Sequence, residues 1–154
     1  MFKPFRHLFI HKKQHNKNDK YIEIPESEMN EELKRHILEL ELLGEEYTEV
    51  LQNKYTNKFE RYGKKNLKIW VCRDIDGEEI EDLSSEECLE REYRSQVAIN
   101  FDGFTAKEDA YAYYIQLWYY FGGHSNGTGT LYNLSVNNLE NDIEETLEKI
   151  FKQT

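Results

Sequence analysis

Apolar residues recur at three- and four-residue spacing from Met29 through Leu33, Ile37, Leu40, Tyr47, Leu51, Tyr55 and Phe59 to Tyr62. That period marks an amphipathic helix. A straight helix over 29–62 would be about 51 Å long at 1.5 Å per residue, whereas a compact domain of this size is roughly 38 Å across. The pattern therefore predicts a break at Gly44, a favourable C-terminal cap, with Glu45 and Glu46 opening a second helix to complete a helical hairpin.

Further along, Ile69 and Val71 alternate with Lys68, Trp70 and Cys72 ahead of Asp76-Gly77, which reads as a β-hairpin over 67–83. Ser84 or Ser85 is placed to cap a short helix running to about Arg94, with Glu86 and Glu87 in its first turn. "QVAINFD" (96–102) and "TLYNLSV" (130–136) read as strands. Between them, Thr105 with Glu108 three residues on forms a capping box, so 106–121 is expected to be helical. Rings and aliphatics would nearly encircle that helix: Tyr111, Tyr114, Ile115, Trp118 and Phe121 on one stripe, Tyr113, Leu117 and Tyr120 on another. From Asn138 a last amphipathic helix uses Leu139, Ile143, Leu147, Ile150 and Phe151. The expected class is α+β: a single domain with a helical hairpin, a small, mostly antiparallel sheet and a C-terminal amphipathic helix. Residues 1–20 form a basic N-terminal segment and 21–154 the globular unit.

Composition supports one stapleless core. The chain has 154 residues, 14% of them aromatic, with 11 Tyr and 8 Phe to fill a core or meet a partner. Cys72 and Cys88 show no CxxC or Cys/His ligand spacing and fit structural thiols in a reducing compartment. No apolar run approaches membrane-spanning length and the N-terminus lacks a signal-peptide pattern, so a cytoplasmic location is expected. In that setting the acceptor triplets at Asn126 and Asn133 carry no weight.

Charge changes the picture more. The net charge is −10, distributed as +5 over residues 1–20, −8 over 21–53, +5 over 54–68 and −9 over 74–92. A bare nucleic acid would meet mostly carboxylates, so direct binding to it is not expected and basic partners become the natural candidates. Lys54, Lys58, Arg61, Lys64 and Lys65 fall where cations complement a helix C-terminus.

The glycine-rich stretch "GGHSNGTGT" (122–130) lacks a phosphate-gripping lysine and leads into a strand rather than a helix, so it reads as a connection. His124 and Ser125 within it would be the reactive pair of the alternative reading, a small hydrolase or ligand-binding enzyme. His7, His11 and His15 could share a helix face toward a transition metal, but Lys12, Lys13 and Lys17 would repel a cation, and no metal or other cofactor is expected. Phe2, Phe5, Leu8, Phe9 and Ile10 beside those cations suit contact with a membrane surface or docking onto the domain; no stable membrane anchoring follows. Asp74 and Asp76 precede a glycine, yet the calcium-loop frame puts Glu79 where glycine is required.

The leading expectation is a non-catalytic acidic module: a stoichiometric inhibitor, of toxin-immunity or counter-defence type, occluding a basic protein such as a nuclease. Its binding surface is expected at Asp74, Asp76, Glu78, Glu79, Glu81 and Asp82, with Glu86, Glu87 and Glu90 behind them and exposed tyrosines as anchors. Carboxylates beside tyrosines imitate the charge and stacking surfaces of a nucleic acid.

Overall fold

The computed structural model describes residues 20–102, 113–121 and 128–152. In chain order these form strand β1 (Tyr21–Ile24), helix α1 (Glu31–Arg61), strands β2 (Lys68–Ile75), β3 (Glu78–Glu79), β4 (Tyr93–Asn100), β5 (Tyr113–Tyr120) and β6 (Gly129–Tyr132), and helix α2 (Leu139–Lys152). The strands make one antiparallel sheet in the order β1-β6-β5-β4-β2-β3, which places the protein in the expected α+β class.

The expected helical hairpin is replaced by one continuous helix. Asn30 caps α1 by accepting the Leu33 amide at 2.9 Å, and Lys58 and Arg61 occupy its last turn. Gly44 lies inside it, facing the sheet. A Cβ there would come within 3.2 Å of Val71 Cγ2 and 3.4 Å of Leu117 Cδ1, so glycine serves close approach of helix to sheet rather than termination. Nor does the rod protrude. Its first half lies over the sheet, and α2 packs along its second half, where Phe59 and Tyr62 meet the Phe151 ring with centroids 5.7 and 4.6 Å away. Buried Leu33, Ile37, Leu40, Leu51 and Phe59 therefore find cover along nearly the whole helix.

The second correction concerns the ring-rich segment. Tyr113–Tyr120 is a strand, not a helix, hydrogen-bonded to β4 and β6. Tyrosine, tryptophan and isoleucine favour the pleated, half-buried surface of a strand. A register shift opposite Ser95 and Gln96 leaves Leu117 as the extra residue of a β-bulge, and both Leu117 and Trp118 are fully buried. The expected cap at Thr105 and Glu108 lies outside the described residues.

Smaller differences have local causes. The 67–83 hairpin forms as expected, with Asp76 and Gly77 both left-handed at φ 55° and 85°, the two-residue turn that suits twisted strands. Ser84 and Glu87 build a capping box, but the turn they start is a single 3-10 turn, Ser85–Glu87. Arg91 and Glu92 then take left-handed φ values of 38° and 53°, which ends any helical run and delivers the chain into β4. Strand β1 was not anticipated, and the strand expected at 130–136 stops at Tyr132, after which Asn133 accepts the Ser135 amide in a turn. Helix α2 forms as expected, with Asn138 accepting the Asn141 amide. Among the described residues no helix is long and apolar enough to cross a membrane.

Candidate partner-binding surface

Strand alternation sorts β2 into two sets. Val71 and Arg73 turn toward α1: the first meets Gly44, and the second donates from Nε to Glu41 at 2.9 Å and from Nη2 to Glu45 at 3.1 Å. Tyr93 on β4 donates to the other Glu41 oxygen at 2.6 Å. Glu41 is thus a fully buried carboxylate held by a cation and a phenol, and burial together with Glu41 pushes the Tyr93 hydroxyl far above its ordinary range.

Lys68, Trp70, Cys72 and Asp74 therefore face the other way. Register carries this face across three strands in rows: Trp70 opposite Ala98 opposite Tyr114, Cys72 opposite Gln96 opposite Gln116, and Asp74 opposite Arg94 opposite Tyr119. Ala98, fully buried, lies between two rings, while Tyr114 itself is 52% exposed. Charge is woven between the rings. The Lys68 ammonium lies 4.3 Å from the Trp70 ring centroid, the Trp70 indole N–H reaches Glu79 Oε2 at 3.4 Å, and Arg94 bonds Asp74 at 3.2 Å while its guanidinium stands 5.4 Å from the Tyr119 ring. Gln116 donates to Thr130 at 2.9 Å and extends the polar row to β6.

The titratable groups of this face are shifted first by burial and then by their charged neighbours. Burial, then Glu79, pushes the Cys72 thiol up to about 11, with Asp74 adding to the rise. The Tyr114 hydroxyl is raised by burial, Cys72 and Glu79, and the Tyr119 hydroxyl by burial and Glu92. Cys72 and Cys88 are both free and buried; burial and Glu41 take the Cys88 thiol up to about 12, so neither is an activated nucleophile.

The nine acidic residues expected to bind a partner divide in two. Asp74 is buried against Arg94, and Asp76, at the hairpin tip, receives both Nε and Nη2 of Arg91, at 3.1 and 2.9 Å; Glu87 is occupied in the capping box. Glu78, Glu79, Glu81, Asp82, Glu86 and Glu90 are exposed, and none forms an ion pair with a described residue. Arg73 ties Glu41 and Glu45 of α1 to β2. Sequence reasoning missed Trp70, Tyr114, Tyr119 and Arg94 as neighbours of this rim. The signal was present: within "YYIQLWYY" the order Tyr113, Ile115, Leu117 against Tyr114, Gln116 is a period of two.

His124, Ser125, His7, His11 and His15 lie outside the described residues, as do 122–127 of the glycine-rich stretch; Phe121 and Thr128, which flank it, are joined by a backbone hydrogen bond. Among the described residues no group of three His, Cys, Asp or Glu side chains could hold a metal ion. The molecule is thus an α+β protein with an aromatic and acidic sheet face. Comparison with known proteins finds no matching family model, curated protein or solved structure.

Proposed function

We propose that the protein is a non-catalytic binding module that recognises a basic protein through this face, as a stoichiometric inhibitor of toxin-immunity or counter-defence type. A nuclease or another nucleic-acid-handling enzyme is the class of target its chemistry suits. One observation carries the reading: Tyr114, half exposed at mid-sheet, shares a face with Trp70 across Ala98, and the Trp70 indole reaches Glu79 on β3. A ring and a carboxylate side by side are the two partners that an arginine or lysine uses at once. The cation–π contact contributes about 0.5–2 kcal/mol and a charged hydrogen bond about 1.5–3 kcal/mol. Exposed Glu78, Glu81 and Asp82 add long-range steering that speeds encounter with a cationic surface. The free, buried thiols fit a reducing compartment, and we place the action in the cytoplasm.

The test is affinity capture from a lysate of the native host at low and high salt, with bound proteins identified by mass spectrometry. A stoichiometric basic protein, released as salt rises, is the expected outcome. Capture of no basic protein at low salt would contradict the proposal.

A further inference from the structure

Strand β3 covers only Asp74 and Ile75 of β2, which leaves the rest of that edge to other partners. In an antiparallel ladder the N–H and C=O of alternate residues point to the same side. The Arg73 carbonyl points outward, away from β4, and accepts the Ile80 amide at 3.2 Å; the Ile69 amide also points outward and donates to Gln52 Oε1 of α1 at 2.8 Å. Gln52 donates in turn from Nε2 to the Leu67 carbonyl, so its side chain stands in for a neighbouring strand at that end. Val71, midway between Ile69 and Arg73, must turn its backbone the same way. Among the described residues nothing bonds to the N–H and C=O of Val71, the C=O of Ile69 or the N–H of Arg73. These ladder groups form an open row between Gln52 and Ile80.

An open edge is a template for an added strand, and its surroundings select which strand. Glu45, Glu49 and Gln52 follow one stripe of α1. Since Glu45 reaches Arg73 and Gln52 reaches Ile69, Glu49 falls between them, alongside Val71. On the opposite face Glu79 accepts the Trp70 indole at 3.4 Å. Glu45, Glu49 and Glu79 are all exposed, whereas the cations nearby are engaged, Arg73 by Glu41 and Glu45 and Lys68 by the Trp70 ring. The row therefore suits a basic strand. A second copy of the chain does not fit. Pairing β2 with itself about Val71 would set Lys68 of the copy opposite Asp74, a place already taken by Glu79. The other sheet edge, β1, would bring Glu23, with Glu26 and Glu28 following, against the same acids.

We infer that the basic partner lays a short extended segment along Ile69 to Arg73 as an added strand. Its backbone pairs with Val71, and its alternate lysines or arginines reach Glu45 and Glu49 on one side and Glu79 on the other. This rests on the proposed recognition of a basic protein and adds main-chain pairing to it. The test uses the full chain, isotopically labelled, and as probe a short blocked peptide that alternates lysine and threonine. The control is the same peptide N-methylated at two adjacent central residues, which keeps the charge and blocks both edges of the added strand. With the plain peptide, hydrogen exchange of the Val71 and Arg73 amides is expected to slow at least tenfold, and the N-methylated peptide is expected to bind at least tenfold more weakly. Equal binding of the two peptides, with shifts confined to Tyr114 and Tyr119, overturns the added strand and leaves recognition by the sheet face standing. Binding of neither peptide overturns it as well, while lysate capture decides the proposed function separately. Protection of the Val71 amide in the free chain is equally contrary: at every concentration it marks a segment of the same chain on the edge, and only at high concentration a second copy.

Discussion

Glu41 sets a strict demand, because a carboxylate with no exposed surface must be matched on the spot. Arg73 supplies the charge and Tyr93 the second donor. Replacing Arg73 with methionine keeps the volume but leaves Glu41 unpaired, and we expect a loss of about 3–5 kcal/mol in urea unfolding. Tyr93→Phe removes one hydrogen bond to a charged acceptor and should cost about 1.5–3 kcal/mol. A smaller effect of the arginine than of the tyrosine replacement would show that Glu41 is not held as a charge. The sequence displayed every member of this network and none of its pairings. Thirty-two residues separate Glu41 from Arg73, and only the packing of α1 on β2 joins them. The same holds for Asp74, which counted as a surface acid until register put Arg94 opposite it.

Elements were more legible where a period was long and uniform, and least where rings crowded. Helix α2 follows its apolar spacing and its caps, and the β2–β3 hairpin follows its Asp-Gly turn. Helix α1 kept its period but not its break, since a glycine signals termination and close packing alike, and only Val71 and Leu117 decide between them. Gly44→Leu should therefore destabilise by about 1–3 kcal/mol through overpacking in chemical denaturation; a neutral result would return Gly44 to a mere permissive position. The ring-rich segment failed for another reason: with seven of its eight residues Tyr, Ile, Leu or Trp, Tyr113–Tyr120 satisfies helical and strand periods together, and partner strands settle it. Between the helices, Tyr55 donates to Glu144 and Glu148 at 3.0 and 2.8 Å, with Lys54 and Lys58 paired to the same two acids. The Lys54 and Tyr55 hydrogen bonds hold Glu144 below its usual range, and those of Tyr55 and Lys58 do the same for Glu148. A depressed carboxylate adds stability above its unfolded value, near 4.3, and loses it as pH falls through the lower folded value. Tyr55→Phe should thus cost about 1 kcal/mol at neutral pH, and the difference should shrink below about pH 4 in paired denaturation curves. A difference independent of pH would mean that Tyr55 acts by packing alone.

On the scale of the whole molecule, charge was the property most plainly written in the sequence and the one that the fold does least to neutralise. Arg91, Arg94 and Arg73 quiet Asp76, Asp74 and Glu41, yet Glu78, Glu79, Glu81, Asp82, Glu86 and Glu90 stay exposed. What the sequence could not supply was the company these acids keep, because Tyr114, Trp70 and Tyr119 converge on one sheet face only through the register of β2, β4 and β5. A surface that combines an exposed ring with unpaired acids is organised to receive cations, and its self-repulsion is relieved when it does. The most direct measurement is the affinity of the captured partner, by titration calorimetry at fixed salt, for the wild type and two variants. One combines Tyr114→Ala with Glu78→Gln and Glu79→Gln; the other alters Val136, a 46% exposed residue in the turn after β6, to serine. Loss of at least tenfold in affinity for the first variant, with the second unchanged, is the expected result; equal affinity for all three would contradict the assignment of this face.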